Sequence, residues 1–187
     1  MIGLWIVLGV VAVVGAWLIA TYNGLIKSRN QVDEAWSDID VQLKRRYDLI
    51  PNLVNSVKGY MTHEKELLEQ ITAYRSQAMT QRDAGNTAQL GQTEGMLSGL
   101  LGKLQIAVEA YPDLKANENV SQLMGELTDT EDKIQASRRF YNGNVRDFNT
   151  KVQVFPTNLI AGIFGFKDYE FFEIENEEER ENIEVQL

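Results

Sequence analysis

Hydrophobic and polar positions follow three different regimes along this chain. Residues 1–26 contain no Asp, Glu, Lys, Arg or His, and 2–20 consist only of Ile, Leu, Val, Ala, Gly and Trp. At about 1.5 Å per residue, a helix of that length covers roughly 30 Å, the thickness of a bilayer's hydrocarbon core. The first regime therefore predicts a transmembrane anchor over 1–26. Trp5, Trp17 and Tyr22 lie toward its ends, where amphipathic rings favour the headgroup zone, and Lys27 and Arg29 follow at once. A cleavable signal peptide would call for a basic leading region and a shorter apolar run, and the basic region is missing here.

The second regime is striped. Val32, Ala35, Trp36, Ile39, Leu43, Tyr47, Ile50, Leu53, Val54, Val57, Tyr60, Met61, Leu67, Leu68, Ile71, Tyr74 and Ala78 recur in steps of three and four, the spacing of one helix face. The stripe passes Pro51 in phase. It predicts one long helix over 31–81, kinked at Pro51, with a clean break there as the alternative, because proline removes a hydrogen bond and crowds the preceding turn. Asp83-Ala-Gly-Asn86 ends it with turn chemistry. A second run has Leu90, Leu97, Leu100, Leu101, Leu104, Val108 and Tyr111 on one face and stops at Pro112-Asp113. A third, with Val120, Leu123, Met124, Leu127, Ile134, Tyr141, Val145, Phe148 and Val152 close to a heptad seam, reaches Phe155-Pro156. Strand signals are nearly absent. The expected fold is all-α: one N-terminal transmembrane helix, then an elongated antiparallel up-and-down bundle over 27–155. Three long helices are expected, or four if the bent first one counts as two.

The third regime begins after Pro156. Residues 156–172 are apolar and aromatic, with Phe164, Phe166, Tyr169, Phe171 and Phe172, and should bury against the bundle, a partner or the bilayer surface. Residues 173–187 are dominated by glutamate, opposed nearby only by Lys167 and Arg180, and should stay disordered. Those glutamates would repel anionic lipid, which favours a protein contact for the aromatic stretch.

Composition changes little in this picture. Of 187 residues, 44% are hydrophobic and 24% charged, as in an ordinary folded chain, and setting the anchor aside leaves about one domain. The net charge of −9 argues against a nucleic-acid partner. With no cysteine and one histidine, thiolate chemistry, disulfides and cysteine-based zinc sites are excluded, and no cofactor is expected. His63-Glu64-Lys65-Glu66 superficially resembles a zinc-protease helix, but Leu67 stands where the second histidine belongs.

Candidate chemistry is sparse. Asp38, Asp40, Lys44, Arg45, Arg46 and Asp48 make a dense charged stretch before Pro51. Four-residue spacing pairs Asp40 with Lys44 and Lys44 with Asp48 on one helix face, so ordinary ion pairs account for much of it, and acid–base catalysis is the weaker reading. Gly95, Gly99 and Gly102 each weaken the second helix, and close approach of a neighbouring helix, within the bundle in the first place and between subunits as the alternative, is the expected compensation.

The residues also resemble a known family. Tyr22-Asn23 through Val32, Ala35-Trp36 through Asp48-Leu49-Ile50-Pro51-Asn52-Leu53-Val54, Val57-Lys58-Gly59-Tyr60 with His63-Glu64, Tyr111-Pro112-Asp113-Leu114-Lys115-Ala116, Phe140-Tyr141-Asn142, Phe155-Pro156-Thr157-Asn158 and Phe164-Gly165-Phe166 together look like the LemA family of bacterial membrane proteins. The pattern covers nearly the whole chain except the acidic tail. The resemblance implies a single membrane helix followed by long antiparallel helices, and supplies no reaction. Asp40, Arg46, Tyr47, Asp48 and Pro51 carry over as signature positions, not catalytic ones. Association of relatives with HtpX-like membrane proteases or TPM-domain proteins implies an envelope scaffold or adaptor.

The expected protein is thus a non-enzymatic, self-assembling scaffold or adaptor of the bacterial inner membrane, with the bilayer, further copies of itself and an envelope protease or TPM-domain protein as partners. Membrane remodelling is a weaker alternative. Basic residues on the C-terminal flank, Lys27, Arg29, Lys44, Arg45 and Arg46, place the soluble part in the cytoplasm by the positive-inside rule, with the periplasm as alternative. The candidate interaction positions are Trp36, Asp40, Arg46, Tyr47, Asp48, Pro51, Phe155, Phe164, Phe166, Phe171 and Phe172.

Overall fold

A computed structural model describes residues 2–173. The acidic stretch from 174 onward lies outside the described residues. Within them the chain is all-α: α1 (Ile2–Val57), α2 (Lys65–Asp83), α3 (Thr87–Glu109), the single turn α4 (Pro112–Lys115), α5 (Glu118–Gln153) and α6 (Thr157–Phe164). The helices pack against each other as a bundle, with α1, α2, α3 and α5 as its long members. The chain divides into two compact units, one comprising the chain up to Asp38 with Arg139–Glu170, the other Ile39–Arg138 with the chain from Phe171.

In the first unit α1 begins as the uncharged helix the sequence predicts. Almost every side chain over 2–20 is exposed, and the helix is long and apolar enough to cross a membrane. At Leu25 the pattern becomes a stripe: Leu25, Ser28, Val32 and Ala35 are buried, one per turn. The end of α5 runs antiparallel to this stretch, as the pairs Ser28–Lys151 (3.0 Å, Nζ donating to Oγ) and Trp36–Tyr141 (ring centroids 5.3 Å apart) require. After Pro156, α6 folds back so that Ile160 and Ala161 bury against Leu25, with Val152 and Phe166 packed around them. Gly165 ends α6 in the left-handed region (φ 72°), where its lack of a Cβ avoids a clash, and the Phe166 N–H returns to the Ala161 carbonyl at 2.9 Å.

In the second unit the antiparallel order of α1 and α2 can be read from two links, Arg75 to Tyr47 and Arg82 to Asp40, in which one number rises as the other falls. Leu43, Ile50, Leu53 and Val57 of α1, Ile71 and Ala78 of α2, Leu90, Leu97 and Leu104 of α3, and Val120, Leu127 and Ile134 of α5 form its core, closed by the fully buried Phe172. Gly85 and the Asn86 cap, whose Oδ1 accepts from the Gln89 N–H at 3.1 Å, make the turn from α2 to α3.

The first helix corrects the sequence reading. It passes Pro51 without a break, but it does not reach residue 81: it stops at Val57 and restarts at Lys65. Proline at 51 leaves the carbonyl of Tyr47 without its helical donor, and Arg75 Nε of α2 donates to that oxygen at 2.6 Å. The break comes instead at Lys58–Glu64, around Gly59, a poor helix former. There the N–H groups of Tyr60 and Met61 both return to the Val57 carbonyl, turning Met61 into the core while Tyr60 stays half exposed. Apolar spacing of three and four survives a tight turn, which is why the stripe concealed the interruption.

Candidate functional site

The strongest concentration of interacting polar side chains lies inside the second unit, where three charged residues stand on the apolar seams of three helices. Arg46 follows Leu43 by three and precedes Ile50 by four on α1. Glu94 stands between Leu90 and Leu97 on α3, and Glu131 between Leu127 and Ile134 on α5. Helical periodicity turns all three toward the core. Arg46 and Glu94 are fully buried and form an ion pair, and Arg46 also pairs with Glu131, whose side chain keeps 27% of its exposure. Ser98 Oγ accepts from Arg46 Nη1 at 3.0 Å and lies 3.1 Å from both Glu131 oxygens, donating to that carboxylate. The Tyr47 hydroxyl donates to Glu94.

Burial weakens the charge on Arg46 most, pushing its guanidinium below its ordinary value, while Glu131 acts in the opposite sense. Burial likewise pushes the Tyr47 hydroxyl up to about 12, against the pull of Arg46. One guanidinium thus ties α1 to α3 and α5. Around the periphery Arg82 holds Asp40 with two nitrogens (Nη2–Oδ2 3.1 Å), and Arg45 lies 3.7 and 3.6 Å from Glu126 and Asp129.

Comparison with known proteins places this architecture. The LemA family model matches residues 35–187. Protein LemA of Metamycoplasma hominis is 34% identical over 139 residues, 74% of this chain and 63% of that one. The chain belongs to the LemA family. Two further relatives carry the name magnetosome protein: MamQ 2 of Paramagnetospirillum magneticum, 27% identical over 190 residues (89% of this chain, 70% of that one), and MamQ of Magnetospirillum gryphiswaldense, 23% identical over 181 residues (83% and 65%). The match thus spans less than two thirds of the Metamycoplasma protein's length. With its leading apolar helix and these relatives, the LemA-family chain is a membrane-associated bacterial protein. The family match also runs through the acidic tail, which the sequence reading set apart from the pattern, and it begins after the Tyr22–Val32 motif.

The family's signature positions separate into different environments. Arg46 and Tyr47 enter the buried cluster, Asp40 joins Arg82 and not Lys44, and Asp48 and Lys44 are exposed, so the expected Asp40–Lys44–Asp48 ladder gives way to pairing across helices. Pro51 sits half-buried within α1. Trp36 lies in the first unit against Tyr141. Of the C-terminal aromatics, Phe172 is buried, Phe166 half-buried, Phe171 40% exposed, and Phe155 and Phe164 are 78% and 59% exposed. Glu94, Ser98, Glu131, Arg75 and Arg82 were missed. For both glutamates the signal was present, an acidic residue at a core position of its helix, whereas nothing local marks Arg75 or Arg82.

Proposed function

We propose that the protein is a membrane-anchored scaffold of the bacterial envelope that self-assembles and catalyses no reaction of its own. The observation that carries this reading is the use made of its interior polar groups: Arg46, Glu94, Glu131, Tyr47 and Ser98 pair with one another between helices. A catalytic site needs a nucleophile, a base and a charge-stabilising donor converging on a space a substrate can fill; here the ion pairs and hydrogen bonds run between α1, α3 and α5 and hold them together. Relatives named Protein LemA and magnetosome protein MamQ are compatible with one scaffold serving different membrane systems. The test is the size of the full chain in lipid nanodiscs or mild detergent by light scattering. Defined multimers are expected, and a strict monomer across the accessible concentration range overturns self-assembly.

A second reading, an adaptor for an HtpX-like protease or a TPM-domain protein, is favoured by one feature of the second unit. Val54, Met61, Leu68 and Ala73, flanked by Lys58, Lys65 and Glu69, line a mostly apolar groove of about 680 Å³ where α1 ends and α2 begins. A groove of that kind takes an amphipathic segment of a partner. Cross-linking from Lys65 in native membranes should recover such a partner, and recovery of the chain alone counts against the adaptor. The basic flank of the anchor, Lys27 and Arg29, supports a cytoplasmic placement of the chain that follows it, which a reporter fused at Leu187 would read.

A further inference from the structure

In the first unit α6 presents two opposite faces. Ile160 and Ala161 are buried on Leu25, whereas Leu159 and Ile163, one turn apart on the outer side, are 58% and 78% exposed, and Phe155, in the turn that precedes the helix, is 78% exposed. Phe164 stays 59% exposed even though its ring lies 4.7 Å from Tyr22. A contiguous outward apolar face of this kind is unusual for a surface bathed in water.

Its position along α1 identifies what covers it. Tyr22 and Leu25 belong to the last turn or so of the uncharged stretch 1–26, and the first charge is Lys27. Because α6 packs on those two residues, its outer face stands level with the end of the apolar span and continues that span's lipid-exposed surface. From Tyr22 to Arg29 a helix rises about 10 Å, and across this rise the neighbours change in order. Phe164 meets Tyr22, the buried side of α6 meets Leu25, and Phe166 receives the Arg29 guanidinium 5.9 Å from its ring centroid. Arg29 and Lys167 line the adjoining pocket of about 380 Å³ together with Tyr22, Phe164 and Asp168. Apolar side chains below, aromatic rings between and guanidinium and ammonium groups above reproduce the gradient of a bilayer interface from acyl chains to phosphates.

We infer that α6 is an interfacial membrane helix, with Leu159 and Ile163 inserted among the acyl chains beside the point where α1 leaves the bilayer and with Arg29 and Lys167 at the phosphates. The occupant of its outer face is phospholipid. The aromatic stretch then touches membrane, against the protein contact that the acidic tail favoured, because Arg29 and Lys167 adjoin α6 itself. A second attachment of this kind fixes the tilt of the helix that carries the cytoplasmic or periplasmic part, which a lone span leaves free to swivel.

The absence of cysteine makes the test direct. Full-length single-cysteine variants Val10→Cys, Leu159→Cys, Ile163→Cys and Ser37→Cys carry a nitroxide in vesicles of mixed phosphatidylcholine and phosphatidylglycerol, and relaxation by oxygen and by a water-soluble nickel chelate gives depth. All four side chains are exposed, so folding is preserved. Labels at 159 and 163 should, like Val10, be relaxed several-fold more by oxygen than by nickel, with Ser37 reversed. Nickel access at 163 equal to that at Ser37, or protection from both reagents with dipolar broadening between copies, overturns the inference while leaving the anchor intact. Nickel access at Val10 overturns the anchor as well.

Discussion

Arg75 Nε donates to the main-chain oxygen of Tyr47, and that oxygen is the acceptor four residues before Pro51. Any residue other than proline at 51 would supply an N–H to the same oxygen, so the side chain on α2 replaces a hydrogen bond that α1 cannot make. Arg75→Met should therefore cost about 1–3 kcal/mol, the price of an unsatisfied, partly buried carbonyl. In a Pro51→Ala background the backbone takes over and the loss should shrink below about 1 kcal/mol. Denaturant unfolding followed by helical circular dichroism in detergent closes the cycle, and strictly additive effects would contradict this account of how α1 passes its proline.

The Arg46 cluster should respond differently to single and paired substitution. Arg46→Met leaves Glu94 buried without its counter-charge and should cost about 3–5 kcal/mol, whereas Arg46→Met with Glu94→Leu should recover most of it, since a buried pair is worth little more than an apolar one of like shape. Glu131 tolerates both changes because it keeps contact with water and with Ser98. At the periphery, Arg82→Ala removes a pair whose side chains retain 23% and 36% of their exposure, and should cost about 1 kcal/mol or less. Equal losses for Arg46→Met and Arg82→Ala in the same unfolding assay would show that burial does not set the hierarchy.

Apolar periodicity carried the helical character of every long segment, the uncharged span and the heptad seam Val120, Leu127, Ile134, Tyr141 of α5, because each rests on local spacing. It failed where local spacing is ambiguous or partners are distant. The turn at Lys58–Glu64 keeps the three-and-four rhythm through Tyr60 and Met61, so only Gly59 betrayed it. Asp40 has Lys44 four residues away and was read with it, yet Arg82, forty-two residues on, makes the pair, because a partner on a packed helix is held by the fold and an exposed lysine is not. Arg46 was the legible exception that went unread: a charge on an apolar seam requires counter-charges on other seams, and Glu94 and Glu131 were there to be matched by the same criterion.

Three tyrosines give the molecule a defined alkaline limit. Burial pushes Tyr47, Tyr141 and Tyr169 up to about 12, helped at Tyr169 by the hydrogen bond its hydroxyl donates to Asp33 at 2.7 Å. An unfolded tyrosine ionises near 10, so between pH 10 and 12 the unfolded chain has lost protons that the folded chain keeps, and stability falls as pH rises. Below about pH 10 the contribution is fully present. Thermal unfolding at a series of pH values should show the melting temperature dropping across that window, and Tyr47→Phe, which cannot ionise, should flatten the drop. An unchanged slope in Tyr47→Phe would exclude that residue as a source.

The glycines of α3 should divide into opposite classes when replaced by alanine. A Cβ on Gly91 would collide with the backbone oxygen of Glu173, next to the buried Phe172, and a backbone group held by a buried aromatic cannot swing aside as a lysine tip would. Gly91→Ala should therefore cost about 1–3 kcal/mol, as overpacking does. Gly99 and Gly102 do not make the intra-bundle approach their sequence spacing suggested: a Cβ on either meets nothing within 4 Å, and both line an open groove of about 370 Å³ beside Ser98 and Glu131. With no neighbour to accommodate, Gly99→Ala and Gly102→Ala should each stabilise the helix by about 0.5–1 kcal/mol. Unfolding at a protein concentration low enough to hold single copies apart reads this intrinsic gain. If the gain reverses as concentration rises, the open groove is where a second copy settles its helix, and the small residues serve assembly; if it persists in the assembled state, copies meet elsewhere.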